Sequence, residues 1–201
     1  MMKTIRTAIL PAAALLALGG CANMQTGMDD EMGMQTSARA DVSLVGGAEM
    51  YSSRTIVQNA VNSPIHTTLV KAVQAAGLVD TLNSAGPFTV FAPTDEAFNR
   101  VAAAALNSLM MPANKPALTK VLTYHVVPGR ITAADIAAKI RAGGGTAMYN
   151  TVAGEALTFH MRDGNVMIMG KGGSSAYVTQ ANVMQSNGVI HVVNGVLMPS
   201  M

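Results

Sequence analysis

From about Tyr51 onward the apolar residues fall into regular periods, and before it they do not. Ile65, Leu69, Val73 and Ala76 recur at helical spacing behind Ser63-Pro64, a capping side chain followed by proline at a first helical position, and Gly77 closes the stripe. Phe88-Thr89-Val90-Phe91-Ala92 is apolar on both faces and β-rich, which predicts a buried strand that Pro93 ends. Thr94 then caps a helix, with Asp95 and Glu96 at its positive end and Phe98, Val101, Ala102 and Ala105 on its inner face. A further helix opens at Asn114-Lys115-Pro116 and buries Leu118, Val121 and Leu122, and Thr132 with Asp135 forms a capping box for another through about Ile140. After Gly143-Gly144-Gly145 the period changes to two. Leu157, Phe159 and Met161 alternate with Thr158 and His160, and Asp163-Gly164 turns the chain into Val166 to Met169. Asn187-Gly188 is a second turn before Val189 to Val193, and Asn194-Gly195 follows that strand. Helices first and strands later predict a single α+β domain with antiparallel sheets.

Composition narrows the possible partners. Half of the 201 residues are hydrophobic and 12% are charged, enough to build a core. Lys and Arg number 13 against 11 Asp and Glu, and a processed chain without Lys3 and Arg6 is electrically balanced. Such a chain lacks the basic footprint of a nucleic-acid binder. There is no Trp, so aromatic platforms for sugars are scarce, whereas Met is abundant at 16. No G-x-S-x-G elbow and no H-E-x-x-H pair is present, and Gly170-Lys171-Gly172-Gly173-Ser174 has the wrong order for a phosphate loop. The expectation is a protein without catalysis or cofactor.

The N-terminus carries an address. Lys3 and Arg6 precede a short apolar stretch that ends in Leu18-Gly19-Gly20-Cys21, the anatomy of a secretory signal. The stretch is shorter than the roughly 20 residues of a membrane span and contains Pro11. Leu18 to Cys21 resembles the lipobox of bacterial lipoproteins; the alternative is an ordinary signal with a chance cysteine. The resemblance implies that Cys21 is acylated and becomes the mature N-terminus, so the membrane is one partner. Ala22 stands where Asp is an inner-membrane retention signal in some Gram-negative bacteria, which favours an outer-membrane location at the cell envelope. The organisation expected is a signal over residues 1–20, a flexible Met-rich tether over 21–50 and a domain over 51–199.

Three blocks inside that domain, Phe88 to Val101, Leu122 to Thr132 and Ser186 to Pro199, together resemble a fasciclin-type domain. The resemblance implies a β-sandwich or wedge with flanking helices. It also implies non-catalytic adhesion to a surface or matrix component, and some members bind apolar pigments instead. Tyr124 and His125 match the family pair implicated in adhesion, and Asn182-Val183-Met184 matches a partner-binding Asp-Ile-Met segment of animal members. Asn182 lacks the negative charge with which an integrin ligand engages a metal ion, and Asn194 stands where the family often has Asp. Most of the motif has a structural reading. Thr94 and Asp95 are cap residues, Asn187-Gly188 sets a register, His125 continues the inward stripe of Leu118, Val121 and Leu122, and His191 lies in an apolar strand. Two alternatives to adhesion stand beside it. One is binding of an apolar small molecule. The other is copper, since Met24, Met28, Met32 and Met34 crowd the tether and His160, Met161, Met167 and Met169 sit across the expected hairpin, and thioether and imidazole ligands suit Cu(I).

Overall fold

The computed structural model describes residues 41–200. The signal stretch, Cys21 and the methionines at 24, 28, 32 and 34 lie outside the described residues. The first described elements are a small hairpin, β1 (Val42–Val45) and β2 (Ala48–Tyr51), turning on Gly46 and Gly47, both at positive φ. Two consecutive left-handed residues make the turn whose twist suits a two-residue hairpin. Val45 and Met50 are fully buried, and Gln180 donates to the Leu44 carbonyl at 2.7 Å. This corrects the expected tether boundary: residues 42–50 are part of the folded domain. Two four-residue strands are too short to display a period, so they read as irregular sequence.

Helices follow. The α1 helix (Ile56–Ala60) opens with a capping box made by Thr55 and Gln58. The α2 helix (Thr67–Ala76) ends on Gly77, left-handed at φ 72°. It starts later than Ser63-Pro64 suggests, because the Ser63 hydroxyl turns to His66 Nδ1 at 2.8 Å instead of capping. After α3 (Val79–Asn83) comes β3 (Phe88–Pro93), half-buried at Phe88 and buried from Thr89 onward, as expected of a core strand. The single helix expected after Thr94 is two, α4 (Asp95–Asn99) and α5 (Ala103–Leu109), and α5 buries no residue. Ala105 is exposed, and Leu106 and Leu109 make the contact with the core instead. The alanine run has helix propensity but no bulk with which to anchor a face. A short turn leads into α6 (Lys115–Tyr124) and β4 (Val126–Pro128), and α7 (Ala133–Ala142) has the capping box expected of Thr132 and Asp135.

The rest is sheet: β5 (Thr146–Asn150), β6 (Ala156–Arg162), β7 (Asn165–Met169), β8 (Ser175–Gln185) and β9 (Gly188–Val193). Seven strands run in the order β4-β3-β9-β8-β7-β6-β5. All pairs are antiparallel except β3 with β9, which are parallel from Phe88↔Gly188 to Pro93↔Val193. That pair corrects the expectation of purely antiparallel sheets. The two strands are far apart in the chain, and no turn signal links them. Two register shifts in β8, between Val178 and Gln180 and between Gln180 and Val183, bend it so that one half pairs with β7 and the other with β9. The sheet therefore curls into a barrel-like form, and the sandwich implied by the resemblance is one rolled sheet with flanking helices. One apolar cluster lies between helices α1, α2 and α6 and strands β3 and β9. The other fills the curled sheet, where the Phe91 ring lies 5.3 Å from Phe159 and stacks on His191 at 5.5 Å.

Candidate binding cavity and the motif residues

The motif residues are structural ties, and they do not gather on one surface. Tyr124 and His125 end α6 with 0% and 3% of their surface exposed. The Tyr124 hydroxyl donates to the Ala156 carbonyl at 3.2 Å and accepts from the Lys171 N–H at 2.8 Å. His125 Nδ1 donates to the Val121 carbonyl at 2.8 Å, and Nε2 accepts from the Leu197 N–H at 2.9 Å. Burial holds this histidine neutral by lowering its pKa to about 4, against a smaller opposing effect of the Val121 carbonyl. No partner surface docks on either ring without opening the core.

Asn182 sits in the bulged part of β8 at φ 59°. Its side-chain oxygen accepts from the Ala133 N–H at 2.8 Å at the start of α7, and its own N–H reaches His191 Nδ1 at 3.4 Å. His191 Nε2 donates to the Ile131 carbonyl at 2.9 Å, so the pair fixes the loop before α7. Val183 is buried and Met184 half-buried. Asn182 itself is exposed, but its amide oxygen is committed to the first N–H of α7, which gives the residue a folding role at the surface.

Thr94 accepts from the Ala97 N–H at 3.3 Å and caps α4 as expected. Asp95 reaches across to another helix. Its carboxylate accepts from Thr67 N–H at 3.2 Å, Thr67 Oγ1 at 2.9 Å and Thr68 N–H at 2.8 Å, and so caps α2. Burial alone would raise its pKa, but these hydrogen bonds outweigh it and hold the carboxyl below its ordinary value. Asn187 is buried at the β8–β9 turn, and a Cβ on Gly188 would lie 2.0 Å from the Phe88 carbonyl oxygen, so β3 and β9 meet only because that residue is glycine. The Asn194 side-chain oxygen accepts from the Tyr177 N–H at 2.8 Å.

What the motifs do not reveal is a cavity of about 170 Å³ between α1, α2 and α3 on one side and β3, β4 and the end of α6 on the other. Val57, Val73, Leu78, Leu82, Val90 and Leu122 contribute to a wall that is almost wholly apolar, and neutral His125 reaches it from behind. Val61 and Val152, among the most exposed large apolar side chains, lie on its rim. In sequence these residues read as core stripes, and only the absence of a side chain to fill the space between them makes a site.

The expected copper donors divide between two faces. The register puts His160, Met167 and Met169 on the outer face of the sheet, and Met161 on the opposite one. Met148, not singled out in sequence, takes its place on the outer face opposite Thr158. Among the described residues no group of three or more His, Cys, Asp and Glu side chains is arranged for a metal, and no helix is long and apolar enough to cross a membrane.

The fasciclin domain family model matches residues 64–199. The chain belongs to the fasciclin domain family. Among its relatives is protein sll1483 of Synechocystis sp., 45% identical over 176 residues that span 85% of this chain and 91% of that one. The immunogenic protein MPB70 of Mycobacterium bovis is 32% identical over 204 residues, 98% of this chain and 97% of that one. A solved FAS1 domain pair from the insect cell adhesion molecule Fasciclin I superposes with a TM-score of 0.64 at 20% identity, covering 72% of this chain and 51% of that one. That likeness is one of fold. The fasciclin family is generally non-enzymatic, and its fold alone does not set a ligand.

Proposed function

We propose that this fasciclin-domain protein is a non-catalytic binding module of the cell envelope, anchored through acylated Cys21, and that it takes the apolar part of a small molecule into the cavity beside α1–α3. The observation that carries this reading is the cavity itself. Its volume of about 170 Å³ compares with the roughly 150 Å³ of an apolar cavity that stays dry and admits benzene. It suits one ring or the end of a hydrocarbon chain, with the remainder of the ligand leaving past Val61 and Val152. Neutral His125 supports the reading, because a charged wall would exclude such a ligand.

The test uses 1-aminoanthracene as an apolar fluorescent probe. Wild type is expected to bind it and enhance its emission. Ala60→Phe, which puts a ring into the cavity from α1, is expected to weaken binding at least tenfold while changing the free energy of unfolding by no more than about 1–3 kcal/mol, so that the domain stays folded. Equal binding by both proteins, or none by wild type, refutes the cavity as the site.

A second reading is adhesion to a surface or matrix component. It is favoured by the family and by the fold shared with the domain pair of an insect cell adhesion molecule. In this chain it must use exposed surface, since Tyr124 and His125 are enclosed. Many anchored copies on one membrane would multiply a weak contact. Protease treatment of intact cells separates the readings. Digestion of the domain is the adhesion outcome; protection until the outer membrane is opened makes direct adhesion untenable and leaves periplasmic ligand binding.

A further inference from the structure

We infer that the outer face of the β5–β6–β7 sheet is a Cu(I) site made by the His160 imidazole and the thioethers of Met148, Met167 and Met169. Two adjacent cross-strand rows bring these donors together. Thr146, His160 and Met167 occupy one row, and Met148, Thr158 and Met169 the next. Directly opposed side chains on one face start about 4.5–5.5 Å apart at Cβ and diagonal ones about 7–8 Å apart. Met167 is therefore opposite His160, and Met148 and Met169 are its diagonal neighbours on either side. Unbranched thioethers with three rotatable bonds span those distances. Thr158, small and central in the second row, leaves the space into which the three sulfurs fold.

The imidazole is already oriented. His160 Nδ1 lies 3.3 Å from Thr146 Oγ1 on the neighbouring strand, which ties down one ring nitrogen and leaves Nε2 as the one to ligate. A ligating histidine ordinarily has such a partner on its second nitrogen. Core packing does not require these methionines. The opposite face of the same strands is filled by Ala147, Phe159 and Ile168, all fully buried, whereas Met148 is 57% and Met169 40% exposed. Exposed positions on a sheet ordinarily take polar or β-branched residues.

The donor set selects the ion. Three thioethers and one imidazole are soft and neutral, the pattern that favours Cu(I) over Zn(II), Cu(II) or hard cations. No carboxylate lies in either row, and Arg162, two residues beyond His160 on the same face, disfavours a dication more than a monocation.

The experiment is an anaerobic competition for Cu(I) against bicinchoninate, using the mature chain with its N-terminal segment. Because Met24, Met28, Met32 and Met34 also carry thioethers, it is run in parallel on a chain with those four replaced by leucine. That chain is expected to retain one Cu(I), with sulfur and nitrogen neighbours in X-ray absorption and a shifted His160 ring signal in NMR at one equivalent. Adding His160→Asn, or separately Met148→Leu with Met169→Leu, is expected to lower affinity at least tenfold. The leucine pair preserves volume at exposed positions, so its unfolding curve should match wild type. Zn(II) should leave the His160 signal unmoved. Failure of the tether-substituted chain to take Cu(I), or equal affinity in the sheet variants, overturns the site.

Discussion

Asn187→Ala is expected to destabilise the domain by about 3–5 kcal/mol, among the largest effects of any single substitution away from the apolar core. Asn187 is 6% exposed and makes three side-chain hydrogen bonds. Its oxygen accepts from the Ile56 N–H at 3.0 Å, and its amide donates to the Leu82 carbonyl at 2.7 Å and the Ser84 carbonyl at 3.0 Å. One side chain thus serves the start of α1, the end of α3 and the β8–β9 turn. Truncation leaves the Ile56 donor and the Leu82 acceptor buried without partners, each costing about 1–3 kcal/mol, while water can reach Ser84. In urea the midpoint should fall with little change in slope, and the thermal midpoint should drop by roughly 10 °C or more. Asn187→Asp sharpens the test. It preserves shape and the acceptor for Ile56 but turns a charged oxygen toward two carbonyls, so it should be at least as damaging as alanine at neutral pH. A loss below about 1 kcal/mol in either variant would show that the three bonds are replaced by solvent.

The same residue shows where sequence reading stops. Asn187-Gly188 is legible as a turn because its chemistry is local, and so are Asp163-Gly164, Thr94 and the Thr132–Asp135 box. The strand from Phe88 and the alternation around Phe159 are legible because burial imposes a period. What the Asn187 side chain holds is not legible, since Ile56 and Leu82 lie more than a hundred residues earlier in the chain. Asp95 is the parallel case. As an acidic residue behind a cap it belongs to its own helix, yet folding aims it at α2. The parallel pairing of β3 and β9 was hidden for the same reason. The cavity was hidden for another: Val73 and Leu82 have the pattern of core residues whether or not the space beside them is filled. In the β5–β7 sheet, the hairpin signal grouped His160 and Met161 with Met167 and Met169; the strand alternation puts Met161 on the other face, and only the register to β5 brings in Met148.

Stability is expected to fall steeply between pH 6.5 and pH 4, before most carboxylates titrate. His66, His125 and His191 are all buried, and burial lowers the pKa of each. For His66 the Asp95 charge opposes this without overcoming it, and for His191 the Ile131 carbonyl does the same. His125 goes from the ordinary 6.5 in the unfolded chain to about 4 in the native one. Between those values the unfolded state binds a proton that the native state refuses, so stability rises with pH. The contribution is complete above 6.5 and gone below 4, and for His125 alone it amounts to about 3 kcal/mol at 1.36 kcal/mol per unit. His66 and His191 add in the same direction and over the same side of the scale. The depressed carboxyls have their own window. Glu155, lowered to about 2 by hydrogen bonds from Ser200 and Lys120, loses its contribution only as pH falls from 4.5 toward that value. The interval from 6.5 to 4.5 therefore reports on the histidines. Urea unfolding at pH 7.5, 6.0 and 5.0 should show a progressive loss in wild type and a shallower one in His125→Phe, despite that variant's lower stability at pH 7.5. NMR of the imidazole protons should find His125 neutral at pH 5. Stability constant across this range, or a His125 ring that titrates near 6.5, would mean that the α6 terminus opens to water in the native state.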